Sequence, residues 1–137
     1  MPWHCDIDPV QQIVELTYTG DITKRELRES ASECIALEEN KGLIRFLVDT
    51  TEMLSVSSLM DVYDLPVNQY VEENADRLGR VALIPPKSSR VKEAVRFYET
   101  VCQNRGWMVQ VFEERHAAVE WLTYRTVSDQ GEADNDH

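Results

Sequence analysis

The sequence predicts an α/β fold with a five-stranded mixed sheet, mostly parallel, an antiparallel hairpin at its amino end and about four helices. The first observation behind this prediction is a pair of short extended runs joined by the turn signal Asp8-Pro9. The second is the alternation, from there on, of nearly continuous apolar runs with segments of helical periodicity. Strands separated by helices need right-handed crossovers, which make neighbouring strands parallel.

The amino-terminal elements carry the clearest local signals. Residues 3–8 and 12–18 predict the two strands of the hairpin, and the second strand alternates between two unlike faces. Thr23 and Glu26 have the spacing of a capping box, which predicts the start of the first helix. Gly42 predicts its end, because glycine readily adopts the left-handed conformation that closes a helix.

The remaining strands and helices follow from apolar patterning. Nearly continuous apolar runs predict strands at residues 43–49, 80–86 and 107–112. The first of these is expected at the centre of the sheet, because a strand covered on both faces reads as apolar throughout. Apolar residues at i, i+3 and i+4 predict helices at residues 88–104 and 114–125.

Length and composition predict how the chain is divided into a domain and a tail. A chain of 137 residues is expected to form one domain, which we place at residues 1–125. Residues 126–137 contain acids, no lysine or arginine and almost nothing apolar. Such a composition cannot bury enough apolar surface to fold, so this segment is predicted to be a disordered acidic tail.

Composition disfavours several classes of function. The net charge of −11 would repel a phosphate backbone, so nucleic-acid binding is not expected. No apolar stretch is long enough to span a membrane and no secretory signal is visible, so a cytoplasmic location is expected. The cysteines and histidines lack metal-ligand spacing, and no constellation of nucleophile and base can be named. The sequence therefore predicts a non-enzymatic protein without a metal or cofactor.

Three segments of the chain resemble one known family. The final segment "VFEERHAAVEWL", residues 111–122, is a strand ending in Phe, two acids and then Ala-x-x-Trp-Leu. The opening "IVELTYTGDITKRELRES", residues 13–30, is a strand, a turn and a capped helix, and "LIRFLVDTTEM", residues 43–53, includes a central strand ending in Asp. Together these motifs resemble the SpoIIAA-like family over residues 7–124.

The resemblance implies a STAS-type α/β fold, related in shape to the CRAL-TRIO lipid-binding fold. The wider group includes anti-sigma-factor antagonists, which are small phosphorylatable switch proteins. The SpoIIAA-like branch itself is largely of unknown function. The resemblance therefore implies a regulatory or protein-interaction role and supplies no chemistry.

Ser57 and Ser58 occupy the region where those antagonists carry Asp-Ser-Ser-Gly, whose first Ser takes the phosphate. Counted from Asp49, Ser57 falls at the Asp position and Ser58 at the phosphorylated Ser, while the acid and the glycine are missing. Ser58 and Asp61 also have the Ser-x-x-acid spacing of an ordinary helix cap. We therefore favour a cap and keep Ser58 as an alternative phosphosite.

A basic cluster on this acidic chain is the first candidate binding site. It lies where a predicted strand ends and the helix at 88–104 begins, the side on which open α/β sheets bind ligands. Cations at a helix amino end oppose the helix dipole unless they meet acids or an anionic ligand. The alternative is simple pairing with surface carboxylates. The residues assigned to an anionic head group are Lys87, Ser88, Ser89 and Arg90.

Residues 53–71 contain more apolar side chains than one helical stripe can use. Val62 and Leu65 lie outside the apolar face that the other residues would form on one helix. Pro66 should break or kink that helix. The surplus predicts a second contact, either a homodimer face, a protein partner or a lid over a pocket. The alternative is that the domain itself covers both sides. The residues assigned to this contact or apolar pocket are Leu59, Met60, Tyr63 and Tyr70.

Three functions are compatible with these patterns. The first is a regulatory or protein-interaction module that acts through residues 53–71 on a protein partner or a second copy. The second is a carrier or sensor of a small amphipathic, lipid-like anion, with its head group at Lys87 to Arg90 and its tail under the helix. The third is a phosphorylatable switch at Ser58.

Overall fold

The computed structural model describes residues 2–124. Its strands are Trp3–Asp8 (β1), Ile13–Ile22 (β2), Arg45–Val56 (β3), Arg80–Ile84 (β4) and Met108–Val111 (β5). Its helices are Lys24–Lys41 (α1), Leu59–Asp64 (α2), Tyr70–Glu72 (α3), Ser89–Asn104 (α4) and Arg115–Thr123 (α5). A π-helical segment, Leu65–Gln69, joins α2 to α3. The predicted acidic tail at 126–137 lies outside the described residues.

The strands form one sheet in the order β1-β2-β3-β4-β5. β1 pairs antiparallel with β2, from Trp3 opposite Tyr18 to Asp8 opposite Ile13. The other three pairs are parallel, and a helical connection joins the strands of each pair. The predicted five-stranded mixed sheet with an amino-terminal hairpin is confirmed.

Helices cover both faces of the sheet. One face packs against α5 in a cluster where Leu47, Ala82 and Leu122 are almost fully buried. The opposite face carries α1, the α2–α3 region and α4, and its larger cluster includes Val48 and Leu83. Leu47 and Val48 point to opposite faces because side chains alternate along a strand. The prediction of a central strand buried on both sides is thereby confirmed for β3.

The predicted start and end of α1 are confirmed. The Thr23 hydroxyl accepts the backbone N–H of Glu26 at 3.2 Å, and the Glu26 carboxylate accepts the backbone N–H of Thr23 at 2.9 Å. Both halves of the capping box are therefore formed. Gly42 closes the helix at φ 66°, a left-handed conformation in which a side chain would be strained.

β3 is longer than the apolar pattern predicts. The run at 43–49 indicates a strand ending near Asp49, whereas β3 continues to Val56. β2 supplies the reason, because it keeps pairing with β3 through two register shifts. The predicted strand end is wrong, and Met53 is a buried strand residue and not part of the second helix.

The second helix begins at Leu59 and changes character at Pro66. Proline has no N–H to donate within a helix, and its ring collides with the preceding turn. The chain accommodates Pro66 within the wider π-helical turn Leu65–Gln69 before α3 resumes. The predicted interruption at Pro66 is confirmed.

Candidate functional site

A cavity of about 130 Å³ lies between the sheet and the helical layer formed by α1, the α2–α3 region and α4. Strands β2 to β5 form its floor, and small residues such as Ala31 and Ala94 line its helical roof. Natural protein interiors contain few voids larger than a water molecule. An engineered apolar cavity of roughly 150 Å³ stays dry and binds benzene. The space is therefore large enough to hold a small apolar group.

The tyrosine hydroxyl groups near this cavity are paired with other hydroxyl groups. The Tyr70 and Tyr98 hydroxyls lie 2.5 Å apart, and the Tyr18 hydroxyl lies 2.5 Å from Ser30 Oγ. Burial raises the pKa of both Tyr70 and Tyr98 well above the ordinary value, so both rings are neutral. Trp107 also lines the cavity, and its buried Nε1–H has no acceptor among the described residues. The wall thus offers mainly apolar contact.

Two carboxyl groups, those of Glu38 and Asp76, line the same cavity. Glu38 Oε1 accepts the backbone N–H of Asp76 at 3.0 Å. Burial raises the pKa of Glu38 to about 7; that hydrogen bond opposes the shift, and the Asp76 charge adds to it. Near neutral pH the Glu38 carboxyl is therefore present in both its protonated and its charged form.

The four residues assigned to an apolar contact do not share one surface. Leu59 and Met60, at the start of α2, have 50% and 70% of their surface exposed. Tyr63 is half-buried, and its ring stacks on Phe97 with 6.4 Å between centroids. Tyr70 lines the cavity. The arrangement separates an outer apolar surface at the start of α2 from an inner wall.

Val62 and Leu65, which fall off the predicted stripe, form the buried side of the second helix. Both have about 5% of their surface exposed, and both line the cavity. Because these two residues turn inward, the apolar residues at the start of α2 stay outside. Leu54 and Val71, at either end of the same stretch of chain, are exposed as well.

Ser58 is the cap of α2, as the Ser-x-x-acid spacing predicts. Its Oγ accepts the backbone N–H of Asp61 at 3.1 Å. Ser57 Oγ donates to Asp61 Oδ2 at 2.6 Å, so the acid is used by the neighbouring serine. The Ser58 side chain remains exposed, and its phosphorylation stays a prediction.

The predicted head-group site at the amino end of α4 lies apart from the cavity. Lys87 Nζ lies 2.9 Å from Glu52 Oε1, and this hydrogen bond and charge raise the pKa of Lys87. Ser88 caps α4 without a side-chain hydrogen bond, and Ser89 and Arg90 are exposed in the first turn. Arg90 forms no ion pair within residues 2–124. None of the four assigned residues lines the cavity.

Two features are absent from the described residues. Across the described residues, no group of three or more His, Cys, Asp and Glu side chains is arranged to hold a metal ion. No helix in that part of the chain is long and apolar enough to cross a lipid bilayer.

The family model of SpoIIAA-like proteins matches residues 13–123, from the first residue of β2 to the last of α5. The chain belongs to the SpoIIAA-like family. The match includes every element that lines the cavity and carries the α2 surface, and it confirms the resemblance seen in the sequence motifs. No curated protein matches the chain.

Two solved structures are similar in fold to this SpoIIAA-like protein. One is the crystal structure of an uncharacterized DUF3478-family protein with a SpoIIAA-like fold from Shewanella loihica PV-4. The two sequences are 20% identical, the alignment covers 88% of this chain and 93% of that chain, and the TM-score is 0.56. The other is the anti-sigma factor antagonist SpoIIAA in its unphosphorylated form, with 12% identity, 87% and 96% covered, and a TM-score of 0.55. At such identities the likeness establishes the fold.

Sequence reasoning missed the polar groups of the cavity in this SpoIIAA-like protein, although one of them left a signal. Glu38 lies three residues after Ile35 and one turn further along the buried stripe of α1. An acid on a buried stripe predicts a raised pKa. Tyr70 and Tyr98 are 28 residues apart and meet only through packing, so no local pattern could have paired them.

Proposed function

We propose that this SpoIIAA-like protein is a non-enzymatic regulatory module that binds a protein partner, or a second copy of itself, through the outer side of α2. The observation that carries the proposal is the exposure of Leu59 and Met60, two adjacent large apolar side chains in the first turn of that helix. Val62 and Leu65 already supply the packing of α2 on the domain. Leu59 and Met60 are therefore free to contact another molecule.

The energetics favour such a contact. Complete burial of a Leu or Met side chain in an interface stabilises a complex by about 1.5–3 kcal/mol. Methionine adapts its shape to different partners because its chain is unbranched and its sulfur is polarizable. An anti-sigma factor antagonist, which by its name acts on another protein, shares this fold. That likeness supports a protein-binding role.

Met60→Asp tests the proposal, with Val10→Asp as a matched control. Val10 has 89% of its surface exposed in the turn between β1 and β2, so both changes put a charge in place of an exposed apolar side chain. Sedimentation velocity and affinity capture from the native cells are run on both variants and the parent. We expect Met60→Asp to abolish a dimer or a captured partner, and Val10→Asp to retain it.

Two results would refute the proposal. One is a parent protein that is monomeric at all accessible concentrations and captures nothing from its own cells. The other is an equal loss of the contact in both variants, which would mean that charge and not the α2 surface is responsible. Circular dichroism before each assay establishes that both variants are folded.

A second candidate function is the carriage or sensing of a small amphipathic molecule, and the cavity favours it. A void of about 130 Å³ reduces stability when it is empty, by ~3 kcal/mol at about 24 cal/mol per Å³. A bound apolar group restores the missing contacts. An anionic head group at Lys87 to Arg90 would have to lie outside the cavity, because those residues do not line it.

Native mass spectrometry of protein purified from its own cells tests this second function. A bound small molecule of constant mass supports it. The double variant Lys87→Glu, Arg90→Glu then reports on the head group: loss of the molecule supports an anion held there, and retention assigns binding to the cavity alone. A spectrum that shows only the bare chain from every growth condition contradicts the carrier function.

A further inference from the structure

A second pocket, of about 370 Å³, opens on the surface beside the π-helical segment. It lies between that segment, the start of α3, the loop before β4 and the carboxyl end of α4. It shares no lining residue with the internal cavity. Its lining residues are Pro66, Val67, Val71, Arg77, Asn104 and Arg105.

Each of the two arginines in this pocket is held in place by an aromatic ring. The Arg77 guanidinium carbon lies 3.5 Å from the centroid of the Trp107 ring, and Arg77 Nη1 donates to the Arg105 carbonyl at 2.6 Å. The Arg105 guanidinium carbon lies 5.9 Å from the Tyr63 ring centroid, and its Nη2 lies 3.2 Å from the Tyr63 hydroxyl. The two positive groups are thus pre-positioned at the pocket.

Neither arginine has an acidic partner. The sequence contains 25 acids against 14 lysines and arginines, so a basic side chain has many carboxylates available. Other arginines of the structure use them, as Arg28 does with Asp64 at 2.8 Å. Within residues 2–124, no carboxylate approaches Arg77 or Arg105 to within ion-pair distance. A guanidinium has five N–H donors, so most of those on each arginine remain free for a ligand.

Apart from Asn104, the rest of the pocket lining is apolar. Pro66, Val67 and Val71 form its other wall, and Val71 is largely exposed. Pro66 and Val67 belong to the π-helical turn, and such turns occur frequently at functional sites. A ligand that fills the pocket therefore presents an anionic end to the arginines and a short apolar body to this wall.

The charge of the surroundings favours a singly charged anion. The pocket lies beside the carboxyl end of α4, where the helix dipole is negative. A chain of net charge −11 adds a repulsive field. A carboxylate tolerates both better than a doubly charged phosphate does, and its two oxygens match the fork of a guanidinium.

We propose that Arg77, Arg105 and Asn104 bind a carboxylate whose short apolar group packs on Val67 and Val71. Two sources supply this chemistry. One is a free aliphatic carboxylic acid, and the other is the carboxyl terminus of a polypeptide that ends in an aliphatic residue. The site goes beyond the function proposed for the α2 surface and does not depend on it.

The test is a titration of the ¹⁵N-labelled full chain with 4-methylpentanoate, followed by NMR. Its apolar control is 4-methylpentanol, which has the same body without the charge. Two short peptides ending in leucine, one with a free carboxylate and one amidated, distinguish the polypeptide source from the free acid. We expect the carboxylate ligands to shift the amide signals around Val67, Val71, Arg77 and Asn104, and the alcohol and the amidated peptide not to do so.

Arg105→Gln should weaken carboxylate binding roughly tenfold or more, because a charge-assisted hydrogen bond is lost. Arg77→Gln should do the same, but it also removes the stacking on Trp107, so Arg105→Gln is the primary variant. Arg25→Gln is the matched control, since Arg25 is an exposed arginine on α1 paired with Glu29. Binding of either carboxylate ligand with these variant effects supports the site. Absence of shifts with every ligand, equal binding of the alcohol, or an equal loss in Arg25→Gln would overturn it.

Discussion

The hydroxyl of Ser58 accepts the backbone N–H of Asp61 at 3.1 Å, and this bond fixes the point where α2 begins. Ser58→Ala removes the acceptor and leaves a helix-end N–H without a protein partner. We expect a loss of about 1 kcal/mol in the free energy of unfolding, measured by urea denaturation. Ser58→Asp should restore most of it, because aspartate caps helices as well as serine does. Equal stabilities of the alanine variant and the parent would contradict the capping role.

The predicted phosphosite is the same hydroxyl, so a phosphate on Ser58 would replace the cap with a larger acceptor. The Asp61 carboxylate accepts the hydroxyl of the neighbouring Ser57 at 2.6 Å, so a negative charge is held in the same turn and opposes the added charge by repulsion. If Ser58 is the phosphosite, intact-mass analysis of the protein from its own cells should show a phosphate that disappears in Ser58→Ala. Ser57→Ala, which leaves the cap hydroxyl in place, should retain it. A phosphate that persists in the Ser58 variant, or is never observed, would reject the switch.

Glu38 should make stability depend on pH. The pKa of Glu38 is about 7 in the folded protein and 4.5 in its ordinary state. Between pH 4.5 and pH 7 the folded protein therefore keeps a proton on Glu38 that the unfolded chain has released. The free energy of unfolding therefore falls as pH rises from about 4.5 to 7. Glu38→Gln retains an acceptor for Asp76 and removes the charge, so we expect it to be more stable than the parent at pH 8. Since the carboxyl is half exposed, the gain should be about 1 kcal/mol.

Urea denaturation of the parent and Glu38→Gln at several pH values measures this effect. The two curves should converge toward pH 4.5 and separate as pH rises. Glu39→Gln is the matched control, because Glu39 is the next residue on α1 and is exposed. A parent whose stability is flat across this range, or an equal gain in Glu39→Gln, would show that burial of Glu38 is not the cause.

Tyr70 and Tyr98 should be coupled in stability. Tyr98→Phe leaves the buried Tyr70 hydroxyl without its partner, which costs about 1–3 kcal/mol. In the double variant with Tyr70→Phe no such group remains, so its loss should be smaller than the sum of the two single losses. Denaturation of all four proteins measures the coupling. Strict additivity would mean that the 2.5 Å contact between the two hydroxyls contributes nothing.

Features governed by a few neighbouring residues could be predicted from the sequence. The capping box of Thr23 and Glu26, the closing Gly42 and the cap at Ser58 each depend on contacts within four residues of chain. The family assignment also followed from short motifs in their order. The full length of β3 could not be predicted, because its last residues are held by β2, more than thirty positions away.

The candidate sites were harder to predict because packing decides them. The apolar surplus at 53–71 was visible, but its division between the inward Val62 and the outward Met60 depends on how α2 lies against the sheet. No local residue pattern predicts the cavity, because its lining residues come from several strands and helices. The pocket brings together Arg77 and Arg105, which are 28 residues apart and joined by a hydrogen bond from Arg77 to the Arg105 carbonyl. Neither this bond nor the stacking of Arg77 on Trp107 is visible in the periodicity of the sequence.

Ala94→Leu should show whether the cavity under α4 is empty in the isolated protein. Ala94 lines the cavity, so a larger side chain has space to fill and should raise the free energy of unfolding by about 1 kcal/mol. Ala118→Leu is the matched control: Ala118 is fully buried on the other face of the sheet and does not line the cavity. Overpacking there should lower stability by about 1–3 kcal/mol.

The two substitutions are compared by thermal and urea denaturation of protein refolded from denaturant, which removes any bound molecule. If Ala94→Leu destabilises as much as Ala118→Leu, the space beside α4 is not available and the carrier function loses its basis. If refolded Ala94→Leu is more stable than the refolded parent, the leucine has filled the cavity. Native mass spectra of Ala94→Leu purified directly from cells should then lack any small molecule that the parent carries. These two results together would mean that the cavity is empty in the isolated protein and is accessible to a ligand in the cell.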